Sequence, residues 1–286
     1  MNRKIKIMAD STCDLSAEMK DKFEVETVPL HIVYDGESFD DGVNIQPSDV
    51  IRRYKESKQL PKTAAVSTYE YIERFKKYVD DGYEIIHVNI GSSISSSHQN
   101  CVAAAAELGH VYPVDSQNLS VGTGLLACKA HDLSENTEMT AEEIAEELRK
   151  TVSKVHTSFV IDNLEFLRAG GRCSTLTMLG ANLLKIKPCI EVNNADGASM
   201  TVGKKYRGKF EKVITDYTRD KLAQYTNIDK QRVGIVSADV PSEIVDSVYK
   251  IIEDFGMFKE IYVTTASCTI TSHCGSGTLG VIFMTE

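Results

Sequence analysis

A chain of 286 residues, 42% hydrophobic and 26% charged, is long enough to bury a sizeable core and has the composition of a soluble globular protein. Its net charge of -9, with Lys204-Lys205-Tyr206-Arg207 the densest basic cluster, argues against nucleic acid or an anionic membrane surface as the main partner. No apolar run reaches spanning length, and Met1-Asn2-Arg3-Lys4 lacks the apolar run of a secretory signal. The seven cysteines form no C-x-x-C pair, so a reducing cytoplasm is the expected compartment.

Lys4-Ile5-Lys6-Ile7-Met8-Ala9 alternates and ends at Asp10-Ser11-Thr12-Cys13-Asp14, which predicts a strand followed by a helix opening at Ser16. Thr27 to Tyr34 reads as the next strand, with Pro29 favouring an edge or a strand start. A helix is predicted from Pro47 to about Glu56, and the pair Ser67 and Glu70 forms a capping box opening another from Tyr69 to Val79. The apolar run Glu84 to Ile90 suits a buried strand, and the alanine-rich stretch Gln99 to Leu108, closed by Gly109, suits a helix.

Between them lies Gly91-Ser92-Ser93-Ile94-Ser95-Ser96-Ser97-His98, a turn from strand end to helix start. Free backbone N–H groups and hydroxyls converge at such a turn, an arrangement that can hold a phosphate or carboxylate without a full positive charge. A solvated linker is the competing reading of serine-rich sequence, but no spacer separates this one from its strand and helix.

Val111 to Ser116 predicts a further strand, and helices follow over Val121 to Ala130 and from Thr140, with Glu143 as capping partner. Near residue 155 the texture changes. Ser158 to Ile161 is a strand, Leu164 to Arg168 a short helix ended by Gly170-Gly171, and Thr175 to Lys185 a second helix. Cys189 to Val192 and Ser199 to Val202 flank Asp196-Gly197 as a hairpin. Helices at Phe210 to Tyr225 and Ser242 to Phe255 and strands at Arg232 to Val236, Ile261 to Thr264 and Leu279 to Met284 complete the chain. In the second of those helices Ile244, Val248, Ile251, Ile252 and Phe255 share one face. The expectation is an α/β protein of two domains. Residues 1–154 form a mainly parallel sheet with flanking helices and residues 155–286 an α/β domain with a mixed or antiparallel sheet.

Gly275-Ser276-Gly277-Thr278-Leu279-Gly280 matches G-x-G-x-x-G, but it runs into a final strand rather than a helix, which rejects a dinucleotide fingerprint. Asp10 and Asp14 are read as caps of a structural turn in preference to magnesium ligands. A serine hydrolase built from the turn and His273 stays open, though no nucleophile elbow is present. No metal or cofactor site is expected, and a purely structural module is the third reading.

Taken together the segments resemble the DegV family of bacterial fatty-acid-binding proteins. The likeness rests on Asp10-Ser11-Thr12-Cys13-Asp14-Leu15, Ile90-Gly91-Ser92-Ser93-Ile94-Ser95, Val114-Asp115-Ser116, Leu164 to Arg172, Lys187-Pro188 and His273-Cys274-Gly275-Ser276-Gly277, in that order along nearly the whole chain. The resemblance implies a two-domain α/β protein with a tunnel between the domains that buries one long-chain fatty acid. It also implies no catalysis by the chain itself: the acyl carboxylate would be presented to a separate fatty acid kinase subunit, with transient membrane contact. By the same resemblance Thr63, Ser92, Ser93, Ser95 and His273 would hold the carboxylate, and Arg172 and Arg207 would contact the head group, phosphate or partner. The family's Thr-Ser-Gln-Pro-Ser is Thr63-Ala64-Ala65-Val66-Ser67 here, its Leu-Ser-Gly-Thr-Tyr is Ile94-Ser95-Ser96-Ser97-His98, and Ser276 stands where proline is common.

The physics of such a role is self-consistent. Burying an acyl chain contributes roughly 0.8 kcal/mol per methylene, and a carboxylate taken out of water requires hydrogen bonds. Neutral hydroxyls at a helix start supply them without a permanent ion pair that resists release.

Overall fold

The computed structural model describes residues 4–136, 138–173 and 186–286. In the first half β1 (Lys4–Asp10), α1 (Ala17–Lys22), β2 (Glu26–Val28), β3 (His31–Tyr34), β4 (Glu37–Asp40), α2 (Pro47–Ser57) and β5 (Lys62–Ala64) come in order. Then follow α3 (Thr68–Asp80), β6 (Tyr83–Asn89), α4 (Ser97–Leu108), β7 (Val111–Asp115), α5 (Val121–Asn136) and α6 (Ala141–Thr151). The second half holds β8 (Val155–Ile161), α7 (Glu165–Gly170), β9 (Lys187–Asn193), β10 (Ser199–Tyr206), α8 (Phe210–Ala223) and β11 (Ile228–Ala238). It ends with α9 (Ser242–Phe255), β12 (Glu260–Thr265), α10 (Cys268–Cys274) and β13 (Thr278–Thr285).

Two main sheets result. Strands β2-β1-β6-β7 pair throughout in parallel, with Ile7 opposite Ile86 and Ile86 opposite Tyr112. The second sheet, β10-β9-β8-β13-β11-β12, is mixed: β11 and β12 run parallel while β13 is antiparallel to both β8 and β11. The alternation of strands with helices dictates the first pattern, because parallel neighbours need crossovers. Short connections and the Asn193–Ala198 turn dictate the second.

Helix α5 lies between the sheets and is buried from Val121 to Cys128. A helix apolar on every side belongs in a core. Gly124 lets it approach the first turn of the chain, since a Cβ there would stand 2.6 Å from the carbonyl oxygen of Cys13. The capping boxes at Ser67–Glu70 and Thr140–Glu143 form as the sequence predicts. Among the described residues no helix is long and apolar enough to cross a membrane.

Three expectations are corrected. The stretch Thr27 to Tyr34 is not one strand: β2 joins the parallel sheet, while β3 enters a separate small sheet of order β4-β3-β5. Pro29 supplies no N–H to a ladder, and the chain breaks there. Helix α10 was not expected from its short, polar sequence. On α9 Val245 is buried and Phe255 is 40% exposed, so the buried stripe is rotated by about one residue. The predicted helix from Thr175 to Lys185 lies outside the described residues.

Candidate functional site

The serine turn stands on a buried carboxylate. Asp10 is fully buried at the end of β1. It accepts hydrogen bonds from the Tyr71 hydroxyl at 2.6 Å and the Ile90 N–H at 2.8 Å, with His87 Nε2 2.9 Å away. The Asn89 amide adds a 3.3 Å contact to each oxygen. This many donors satisfy a buried charge that would otherwise be prohibitive. Asp10 therefore does not cap the turn that follows it, to which its side chain makes no bond. It fixes the end of β6, from which the serine turn departs. His98, on the first turn of α4, extends the network, its Nδ1 3.2 Å from Asn89 Oδ1, and burial pushes its pKa down.

The serines divide into two groups. Ser92 donates its N–H to Asp115 Oδ1 at 3.2 Å. Ser93 donates both its N–H (3.0 Å) and its hydroxyl (2.7 Å) to the carbonyl of Gly197, at the tip of the β9–β10 hairpin. Gly91 makes the approach possible, since a Cβ there would lie 2.4 Å from Ala198 Cβ and 2.5 Å from the Gly197 oxygen. This part of the turn is a clasp between the halves. Ser95, by contrast, lines a cavity together with Ser96, its hydroxyl accepting the Ser97 N–H at 3.2 Å.

That cavity measures about 200 Å³ and draws its walls from both halves of the chain. Leu30, Ile90, Ile94, Leu119, Met200 and Ile270 make it apolar, and Thr63, Ser95, Arg172, Thr269 and His273 give it a polar end. His273 comes from the last turn of α10, and its Nε2 lies 2.9 Å from the Thr63 hydroxyl of β5. Burial, and then the neighbouring Arg172 guanidinium, push the His273 pKa down to about 4, so the ring is neutral at neutral pH. Its Nδ1 is buried with no hydrogen-bond partner among the described residues. Gly170 makes room for it: a Cβ there would meet Nδ1 at 2.3 Å. Arg172 is exposed and donates to the Gly170 carbonyl at 2.6 Å.

The structure thus brings Thr63, Ser95, Arg172 and His273 to one cavity, places Ser92 and Ser93 at the clasp, and leaves Arg207 exposed just beyond β10, away from the cavity wall. Sequence reasoning missed Leu119, Met200 and Ile270, which line the cavity from three separate elements or loops. Only their apolar character signalled them, and dozens of core residues share it. Among the described residues no group of three His, Cys, Asp or Glu side chains could hold a metal ion. The glycine loop at 275–277, with φ of +78° at Gly275 and +75° at Gly277, turns the chain from α10 into β13.

The family model described as "Uncharacterised protein, DegV family" matches residues 4–286. The chain belongs to the DegV family. A DegV domain-containing protein of Clostridium acetobutylicum is 32% identical over 98% of both chains. A fatty acid-binding protein of Thermotoga maritima is 29% identical, over 97% of this chain and 96% of its own. Among solved structures, a Thermotoga maritima protein described as revealing fatty acid binding function superposes with a TM-score of 0.83 at 26% identity, covering 100% of both chains. The two chains therefore share one α/β fold.

Proposed function

We propose that this protein binds one long-chain fatty acid, with the carboxylate at the polar end of the cavity and the acyl chain among the apolar residues. The observation that carries the reading is the Thr63–His273 pair, a neutral donor set in a cavity that also has aliphatic walls. If His273 Nε2 carries the ring proton and donates to Thr63 Oγ1, the threonine O–H is left to donate to a carboxylate. Ser95, whose hydroxyl accepts the Ser97 N–H, offers a second O–H in the cavity lining. Relatives named for fatty acid binding support the reading. The chamber is smaller than the roughly 300 Å³ at which small-molecule pockets begin, so a full acyl chain requires its apolar walls to part.

The carboxyl end would then be presented to a separate kinase subunit for acyl-phosphate formation. Arg172 and Arg207, both exposed, are the candidates for phosphate or partner contact. Ser93 serves this role indirectly, by clasping the hairpin that carries Met200 to the cavity, and Ser92 by tying the turn to Asp115. A serine hydrolase is disfavoured because the partner of His273 is a threonine rather than a serine of the turn. Denaturing extraction of the purified protein followed by mass spectrometry should release a fatty acid. Recovery of none, even after incubation with lipid, would overturn the reading.

A further inference from the structure

Helix α10 has two ends with different surroundings. Its body carries Thr269, Ile270, His273 and Cys274 into the cavity wall. Its start is held by two buried carboxylates from the first half of the chain, neither of which lines the cavity. Asp14 Oδ1 accepts the N–H of Ser267 at 2.9 Å. Asp41 accepts the N–H groups of Cys268 at 2.8 Å and Thr269 at 3.1 Å. Backbone donors at a helix start are orphans, and carboxylates satisfy them best when charged. Asp14 also accepts from the Ser120 hydroxyl, next to Leu119 of the cavity wall. One side chain thus joins two segments that face the ligand space.

We propose that Asp14 and Asp41 are positioning residues for the head-group site, fixing the start of α10 and thereby the place of His273 opposite Thr63. The inference rests on the fatty-acid reading only for its binding consequence; the effect on His273 is independent of any ligand.

The charge on Asp14 makes the clamp sensitive to pH. Burial outweighs its hydrogen bonds and pushes its pKa up to about 7. The titratable groups around it are Asp41 just after β4, Cys13 beside it with Asp10 and Lys20 acting on that thiol, Cys274 on α10, and Lys20 and Asp246 along a groove on the outer side that Asp14 also lines. The thiols of Cys13 and Cys274 are pushed up to about 12 by burial and stay neutral. His273, at about 4, does not itself titrate between pH 6 and 8. As pH falls through 7 the carboxylate takes a proton: the fold as a whole gains by shedding a buried charge, but the N–H···O⁻ bond to Ser267 becomes an ordinary neutral one, and the start of α10 is held less firmly.

The test has two arms. In lipid-free protein, the His273 ring signals followed by NMR from pH 6 to 8 should shift with a midpoint near 7, and Asp14→Asn should abolish that inflection. Ser120→Ala removes a bond that favours the charged form, so it should move the midpoint upward, and it serves if Asp14→Asn does not fold. In the second arm, palmitate below its micellar concentration should bind about fivefold more weakly at pH 6 than at pH 8 in the wild type, and equally at both in Asp14→Asn. A His273 signal flat across this range, or the same inflection in Asp14→Asn, overturns the clamp. Failure of the wild type to bind palmitate at any pH overturns the fatty-acid reading and leaves the NMR arm to decide the clamp.

Discussion

Thr63 and His273 show how little polar surface a carboxylate site needs. The pair sits 2.9 Å apart and half-buried beside aliphatic walls, so each hydroxyl lost at this end removes a donor from a carboxylate drawn partly out of water. A hydrogen bond to a charged partner contributes about 1.5–3 kcal/mol, so Thr63→Ala and Ser95→Ala should each weaken fatty acid binding about tenfold or more without unfolding the protein. Titration calorimetry with circular dichroism as the control checks this, and unchanged affinity in both variants would remove them from the site. Gly170→Ala tests the geometry from behind. Its methyl would meet His273 Nδ1 at 2.3 Å while Nε2 is tied to Thr63, so the ring must leave its place. Affinity should fall to the level of Thr63→Ala, with little further loss when the two are combined.

At the scale of elements, the serine turn performs two tasks that its sequence does not separate. Its first half locks the β9–β10 hairpin through Ser93 and Gly197, and its second half lines the cavity through Ser95. Gly91 is the pivot, because a Cβ there collides with backbone of the hairpin and with Ala198, neither of which is the far end of a flexible chain. Gly91→Ala should therefore cost about 1–3 kcal/mol in urea unfolding, the range for overpacking a tight contact. A midpoint unchanged from the wild type would mean that the clasp opens freely. Helix α10 is the complementary element, too short to stand alone and held by Asp14 and Asp41 from another part of the chain.

For the whole molecule, acid stability reflects two opposed titrations. His273 is held near 4 against an ordinary 6.5, so it contributes stability above pH 6.5 that is lost as pH falls toward 4. The loss is on the order of 3 kcal/mol. Asp14 is held near 7 against an ordinary 3.8, so its contribution is fully present below 3.8 and is lost as pH rises through 7. Between pH 4 and 6.5 the two slopes offset each other. Denaturant unfolding as a function of pH should show the acid loss steepen in Asp14→Asn and reverse toward a gain in His273→Gln. Parallel profiles for all three proteins would count against both shifts.

Much of this protein is legible in its sequence because the signals are local. The capping boxes at Ser67 and Thr140, the strand Tyr83–Asn89 and the glycine after Leu108 each act within a few residues, so spacing alone places the elements and the α/β alternation. The turn at Ser92 to Ser97 was legible as a strand-to-helix junction for the same reason. Which serines line the cavity was not, because that depends on where the hairpin around Gly197 lands, about a hundred residues later. The capping character of Asp14 was likewise visible, but the helix it holds begins at Ser267. Residue type and periodicity determine what each segment can become; only the packing of both sheets around α5 decides which distant segments share the cavity, since close-packed interiors are set by complementary shape rather than by any local rule.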